Sequence, residues 1–315
     1  MLDFSICHQI SENINKVIVG KNESIELILA ALLAEGHLLL EDVPGVGKTL
    51  MARSLAKSIG GTFQRVQFTP DLLPSDITGF NVFHQEEGRF IFQPGPVMSN
   101  ILLADEINRT IPRTQSSLLE SMQEKQVTVD GKTMDLPSPF FVMATQNPIE
   151  LEGTFPLPEA QLDRFLMRIR LNYPSQKEEI SILERFQKED PLEKLHAVTT
   201  PEQIVQLQKE RQKIHVSRQI NHYIVSLAKA TRNSAKIRYG ASPRASLHLM
   251  RGTQALAALR NRDFVLPDDV KELFIPILAH RIIIETKERL KGSTPEQVLE
   301  EILETTEVPT LETVP

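Results

Sequence analysis

Residues 38–56, LLLEDVPGVGKTLMARSLA, constrain the fold more than any other stretch. An apolar run ends in two acids, a turn with Gly45 and Gly47 follows, and a helical pattern begins at Lys48. A strand that passes through a glycine turn into a helix fits the first half of a βαβ unit, and so a parallel sheet with helices packed on it.

That turn also carries chemistry. Its glycines let backbone N–H groups face inward around an anion, and the helix start adds free N–H groups and a positive dipole end. The full phosphate-loop pattern is G-x-x-x-x-G-K-[ST]. Gly47, Lys48 and Thr49 fill its end, while Asp42 stands in the slot of the first glycine. Lys48 is placed to reach the β- and γ-phosphates, and the Thr49 hydroxyl to bind Mg2+. Asp tolerates turn conformations. A carboxylate beside phosphates would repel them, so the Asp42 side chain is expected to point away. The alternative is a glycine-rich turn without a ligand.

Five apolar runs lie before residue 172: HLLLE (37–41), TFQRVQF (62–68), NILLAD (100–105), FFVMAT (140–145) and FLMRIRL (165–171). Several are apolar almost throughout, as strands buried on both faces are, and helical patterns separate most of them. The expected architecture for 1–172 is therefore α/β, a parallel sheet sandwiched by helices. Two stretches break the rhythm as hairpins, 80–97 around Glu87-Gly88 and 126–136 around Asp130-Gly131. After residue 172 the strand runs stop. Ile220, Tyr223, Ile224, Leu227 and Ala228 fall on one helical face, and Thr200-Pro201 and Ser242-Pro243 read as helix starts. Residues 173–285 are expected to form an all-α domain and 286–315 an acidic, partly helical C-terminal tail, loosely attached.

A working phosphate loop needs partners. ILLADEINR ends a buried strand in Asp105-Glu106, where Asp105 can hold a metal through water and Glu106 can polarise an attacking water. FFVMATQNP ends another strand in Asn147, which can orient that water or serve only as a turn former before Pro148. Arg164 precedes the last strand run, and Arg244 sits in the first turn of a helix, where its charge opposes the dipole and calls for an anion. Read singly, each arginine fits an ordinary ion pair equally well.

In that order, the motifs resemble those of the AAA+ ATPases. LLLEDVPGVGKT, LLADEINR, ATQNPIELEGTFPLPEAQLDRF and SPRAS are similar, more narrowly, to the MoxR family, over residues 10–285. MoxR proteins do not reliably carry the first loop glycine. The resemblance implies a P-loop AAA+ domain, with the two hairpins as its inserts, followed by a helical lid. By that resemblance Lys48 and Thr49 match Walker A, Asp105 and Glu106 Walker B, Asn147 sensor 1, Arg164 the arginine finger and Arg244 sensor 2. Lys48, Glu106, Asn147, Arg164 and Arg244 are then the catalytic candidates. Thr49 and Asp105 are the metal candidates. Val19, Gly20, Pro44, Gly45, Val46, Gly47, Lys48, Thr49 and Leu50 are the nucleotide contacts, with Val19 and Gly20 packing on adenine. The family further implies ATP and Mg2+, a ring of about six subunits, a partner with a von Willebrand factor A domain, and chaperone-like maturation of another protein. A chelatase-like motor for metal insertion and a nucleotide-dependent scaffold with little hydrolysis are the alternatives.

The bulk composition narrows the partners. Net charge is −6, and residues 285–315, with eight Glu against three Lys or Arg, carry −5 of it, leaving the rest near neutral at −1. That lacks the basic excess of a sequence-independent nucleic-acid binder. The longest apolar run near the start, Leu27 to Ala34, is far short of the ~20 residues a membrane span needs. Residues 1–8 lack the pattern of an export leader. Cys7 is the only cysteine, which excludes an internal disulfide and fits a reducing cytoplasm. The eight histidines are scattered, so no protein-held transition metal is expected.

Overall fold

Each of the five apolar runs forms a strand of one sheet in the computed structural model, which describes residues 4–147, 153–187 and 189–309. In chain order the strands are β1 (Leu38–Glu41), β2 (Phe63–Gln67), β3 (Gly79–His84), β4 (Arg89–Pro94), β5 (Ile101–Asp105), β6 (Gln126–Val129), β7 (Lys132–Asp135), β8 (Phe141–Gln146) and β9 (Met167–Ile169). The central sheet has the order β2-β5-β8-β1-β9, and every pairing in it is parallel. β1 is buried along its whole length, as a strand covered on both faces must be.

The two hairpins leave this sheet where expected. β3 pairs with β4, and β6 with β7. Asp130 and Gly131 both take positive φ, +48° and +77°, the conformation a two-residue turn requires to match strand twist.

The helical half departs from expectation in two places. A short strand pair, Ile237–Tyr239 with Ile283–Ile284, lies among its helices. The segment from 286, expected as an acidic, partly helical and loosely attached tail, contributes a helix, Pro295–Thr305, that is capped by Thr294 and packed against the core. Val298, Leu299 and Ile302 on one face of it are buried. Glu300, Glu301 and Glu304 are exposed, so net charge alone hides the apolar stripe. The anticipated Arg218–Asn233 helix buries Ile220, Tyr223, Ile224, Leu227 and Ala228. One core runs from Leu38, Ile101 and Phe141 of the sheet to Leu256, Leu273 and Val298 of the helical half. Among the described residues, no helix is long and apolar enough to cross a membrane.

His37 pins the start of β1 inside this core. Its Nδ1 accepts from the Val142 N–H at 3.0 Å, and its Nε2 donates to the Met122 carbonyl at 3.1 Å. The ring is therefore neutral. Burial, assisted by nearby Lys125, pushes its pKa down to about 4. The unfolded chain, with histidine near 6.5, binds a proton that the folded one refuses. Stability is thus complete above pH 6.5 and is lost as pH falls toward 4, by up to ~1.4 kcal/mol per unit for this group. His37→Asn keeps the acceptor for Val142 and removes the titration. Chemical denaturation between pH 7 and pH 5 is expected to give a shallower loss in the variant; equal slopes would remove His37 from the acid response.

Candidate functional site

The turn between β1 and the helix Lys48–Ser58 is built around two left-handed glycines, Gly45 at φ +86° and Gly47 at φ +89°. No atom lies within 4 Å of a Cβ built on either, so glycine is required by backbone conformation and the space around the loop is open. Pro44 and Gly45 are exposed, whereas Val46 and Leu50 rest partly against the core.

Asp42 answers the irregularity in the motif. Its carboxylate turns away from the loop and accepts the backbone N–H groups of Leu171 at 2.5 Å and Asn172 at 3.1 Å, just past β9. The side chain therefore ties the loop's first residue to the neighbouring strand. Its backbone carbonyl faces the other way and accepts from Lys48 Nζ at 2.8 Å. Burial holds the Lys48 pKa below its ordinary value, against the pull of Asp42, Asp105 and Glu106. Three acids thus surround one ammonium at this edge of the sheet.

Strand register brings the rest together. Leu40 lies beside Thr145 and Glu41 beside Gln146, while Ala104 pairs with Ala144. The ends of β5, β8 and β1 consequently stand side by side, carrying Asp105-Glu106, Asn147 and the loop. Asn147 is buried at the end of β8. Thr145 Oγ1 donates to Asp105 Oδ1 at 2.6 Å and accepts from the Glu106 N–H at 2.8 Å. Asp105 Oδ2 also accepts from Arg65, at 3.1 Å from Nε and 2.6 Å from Nη2. Glu106 has a left-handed backbone at φ +57°, uncommon for a residue with a side chain. Gln67 Nε2 donates to its carboxylate at 2.6 Å, and Arg109 Nε lies 3.1 Å from the same oxygen. Thr49 and Asp105 offer hard oxygen donors, the set a magnesium ion takes together with water.

Thr145, Arg65, Gln67 and Arg109 are absent from the sequence reading. Thr145 left one signal, a hydroxyl at the end of an otherwise apolar strand; the others look like ordinary surface residues. Gly20, with φ +71°, abuts the Glu178 side chain, and Lys21 donates to the Tyr173 carbonyl at 3.3 Å. Gly20 and Lys21 therefore lie against the segment that follows β9.

Arg164 and Arg244 do not join this cluster. Both line a cavity of about 580 Å³ with Lys125, Arg211 and Arg251, beside Gly36 and His37 at the beginning of β1. Since all central strands are parallel, this cavity lies at the sheet edge opposite the glycine loop, separated by at least the ~13 Å length of a four-residue strand. Arg244 Nη1 is 3.6 Å from Asp163 Oδ2. Asp163 also holds Arg281, so the carboxylate next to Arg164 in sequence serves two other arginines.

Comparison with known proteins places this geometry. The profile of the ATPase family associated with various cellular activities (AAA) matches residues 37–167, and that of the AAA lid domain matches 229–302. Protein YeaC of Bacillus subtilis (strain 168) is 52% identical over 298 residues, covering 95% of this chain and 93% of its own. Chaperone MoxR1 of Mycobacterium tuberculosis is 43% identical, covering 96% of this chain and 82% of its own. Protein MoxR of Paracoccus denitrificans is 34% identical, covering 86% of each. A solved structure from Cytophaga hutchinsonii superimposes with a TM-score of 0.92 at 40% identity, covering 98% of this chain and 96% of that one.

The Asp42 contacts carry a test. Asp42→Gly restores the full loop pattern but strands two backbone N–H groups, a loss of about 2–4 kcal/mol in folding stability. ATP affinity is expected to change less than tenfold, because the carboxylate points away from the loop. Urea unfolding and calorimetry read the two effects; a variant as stable as the parent would show those bonds to be incidental.

Proposed function

The chain belongs to the MoxR family of AAA+ ATPases, and from that premise we propose that it hydrolyses ATP with Mg2+ in a ring of identical subunits and uses the cycle to remodel a partner protein. The observation that carries this reading is the division of charge between the two sheet edges. Lys48, Asp105, Glu106 and Asn147 stand at the C-terminal edge, while Arg164 and Arg244 stand at the other.

Chemically, each group has a task. The amides of the glycine loop and the first helical turn would cradle the phosphates. Lys48 would exchange the Asp42 carbonyl for the β- and γ-phosphates. Glu106, steadied by Gln67 and Arg109, would orient the attacking water and take up its proton. Asn147 would hold that water or a γ-phosphate oxygen. Thr49 and Asp105 would hold Mg2+, which when bound neutralises charge on the phosphates. Val19 and Gly20 would flank the adenine.

An arginine at the far edge cannot reach its own subunit's phosphates. In a ring, however, that edge can face the phosphate edge of the next subunit, where Arg164 and Arg244 would meet the charge spreading over the transferred oxygens. A closed ring with this head-to-tail contact, six-fold in our reading, satisfies every subunit equally. Remodelling of a partner, with a von Willebrand factor A domain protein as the expected companion, is supported by the relative named a chaperone.

Lys48→Ala removes a point charge shared by two phosphates. ATP affinity is expected to fall at least ~100-fold, read by calorimetry; wild-type affinity would contradict the phosphate-loop reading. Arg164→Ala should bind ATP nearly normally yet turn over ~10³- to 10⁵-fold more slowly. Glu106→Gln should also bind ATP and turn over poorly, though with its own Arg164 intact. Mixing the two inactive proteins under subunit exchange should restore part of the ATPase rate. If native mass spectrometry shows mixed rings and no activity returns, Arg164 does not act in the neighbour's site.

A further inference from the structure

Arg281 is buried with its side chain 1% exposed, and it spends its donors on three elements, the segment around Arg164 and the helices Pro267–Leu278 and Pro243–Leu259. Toward the segment around Arg164, Nε donates to Asp163 Oδ1 at 2.8 Å, Nη1 to the Leu166 carbonyl at 3.0 Å, and Nη2 to the carbonyls of Asp163, at 3.3 Å, and Phe165. Toward the helical half, Nη1 donates to the Ile277 carbonyl, and Nη2 to His248 Nδ1 at 2.5 Å. His248 lies one turn after Arg244 on the helix Pro243–Leu259. The loop is closed by Asp163, whose second oxygen faces Arg244 at 3.6 Å.

We propose that Arg281 is a positioning residue for ATP hydrolysis, clamping the Arg164 segment to the Arg244 helix so that both arginines reach the neighbouring subunit as one rigid pair. This rests on the reading that Arg164 and Arg244 act on the next subunit's nucleotide. Residues 163–165 lie between the four-residue helix Glu159–Leu162 and the sheet; the Leu166 N–H donates to the His37 carbonyl at 2.7 Å just ahead of β1, and β9 begins at Met167. The amides of residues 163–165 bond back to Glu159, Gln161 and Leu162, while Arg281 adds four bonds to carbonyls and the carboxylate on both sides of Arg164. A buried guanidinium is a poor device for stability, since a well-packed apolar side chain often serves as well or better. What an apolar residue cannot do is fix the angle of four carbonyls, a carboxylate and an imidazole at once, as the planar fork of arginine does. A misplacement of about 1 Å in a transition-state contact costs on the order of 100-fold in rate.

The test uses the full chain with Arg281→Lys, which keeps the charge and loses the fork, and Asp163→Asn, which loosens the same joint from its partner side. Both are expected to bind ATP within about threefold of the parent and to lower kcat on the order of 10- to 100-fold. Their own phosphate edge is intact, so mixing with Glu106→Gln subunits should restore activity, as it does for Arg164→Ala measured alongside. A residue needed only for folding would weaken its own site, and partners would not rescue it. Unchanged kcat in both variants overturns the proposal. So does lost activity that Glu106→Gln subunits fail to restore while the Arg164→Ala mixture recovers. If the Arg164→Ala mixture also stays silent, the neighbour-acting reading itself fails, and the positioning role falls with it. Failure of both variants to fold, seen by circular dichroism, makes Arg281 a stability residue and rejects the role proposed for it.

Discussion

A single direction shared by five strands organises this protein. Because β2, β5, β8, β1 and β9 are all parallel, every strand delivers its last residue to one edge and receives its first from the other. The phosphate edge collects Asp42, Asp105, Glu106 and Lys48, with Arg65 on Asp105 and Arg109 on Glu106. The opposite edge collects Arg164, Arg211, Arg244, Arg251 and Lys125 around a cavity whose lining includes one acid, Glu35. Such a surplus of positive charge in a partly enclosed space is unfavourable unless an anion enters. The two edges differ in what they offer, the glycine loop and carboxylates at one and an excess of guanidinium groups at the other. The fold thus generates a polar protomer before any assembly is considered.

The same directionality explains why Asp42 is tolerated in the slot of a glycine. A glycine there would leave the start of the loop joined to β9 only through β1. Asp42 instead reaches across and holds the chain just after β9. One residue earlier, Glu41 pairs with Arg170 at 2.8 Å and Arg168 at 3.3 Å, and Arg168 in turn meets Glu296 at 2.5 Å. Glu41 and Arg168 are largely withdrawn from water, so this chain is less screened than a surface pair. Glu296 begins the helix Pro295–Thr305. The last described helix is therefore linked by charge to the residue that launches the phosphate loop.

Much of this architecture is legible in the sequence, and the reason is physical. β1, β5 and β8 are buried on both faces almost throughout, a pattern few other elements show, and the glycine turns mark both hairpins. Lys48, Asp105, Glu106 and Asn147 are legible as a group because each follows or begins an element at a strand end. What stays hidden depends on register and distance. Thr145 matters because β8 sets it beside Asp105, and Gln67 because β2 sets it near Glu106. Nothing in the residues flanking either states that pairing. The packing of the final helix is masked by its glutamates, which read as solvated charge on a loose tail although Leu299 is fully buried.

Arg281 is the extreme case of a residue that sequence conceals. Locally it follows a helix, in HRIII, where a basic residue usually answers the negative dipole end. It does bond one helix carbonyl, that of Ile277, but its remaining partners lie 33 to 118 positions away. Burial and its cationic neighbours keep His248 unprotonated, with a pKa pushed down to about 3, so the imidazole stays available as an acceptor for Arg281 across the ordinary pH range. The joint between the Arg164 segment and the Arg244 helix is thus one charged fork with one neutral ring and one carboxylate. A protonated His248 would set two cations against each other there. Because the ring resists protonation far below neutrality, the pairing of the two arginines does not depend on modest changes in acidity.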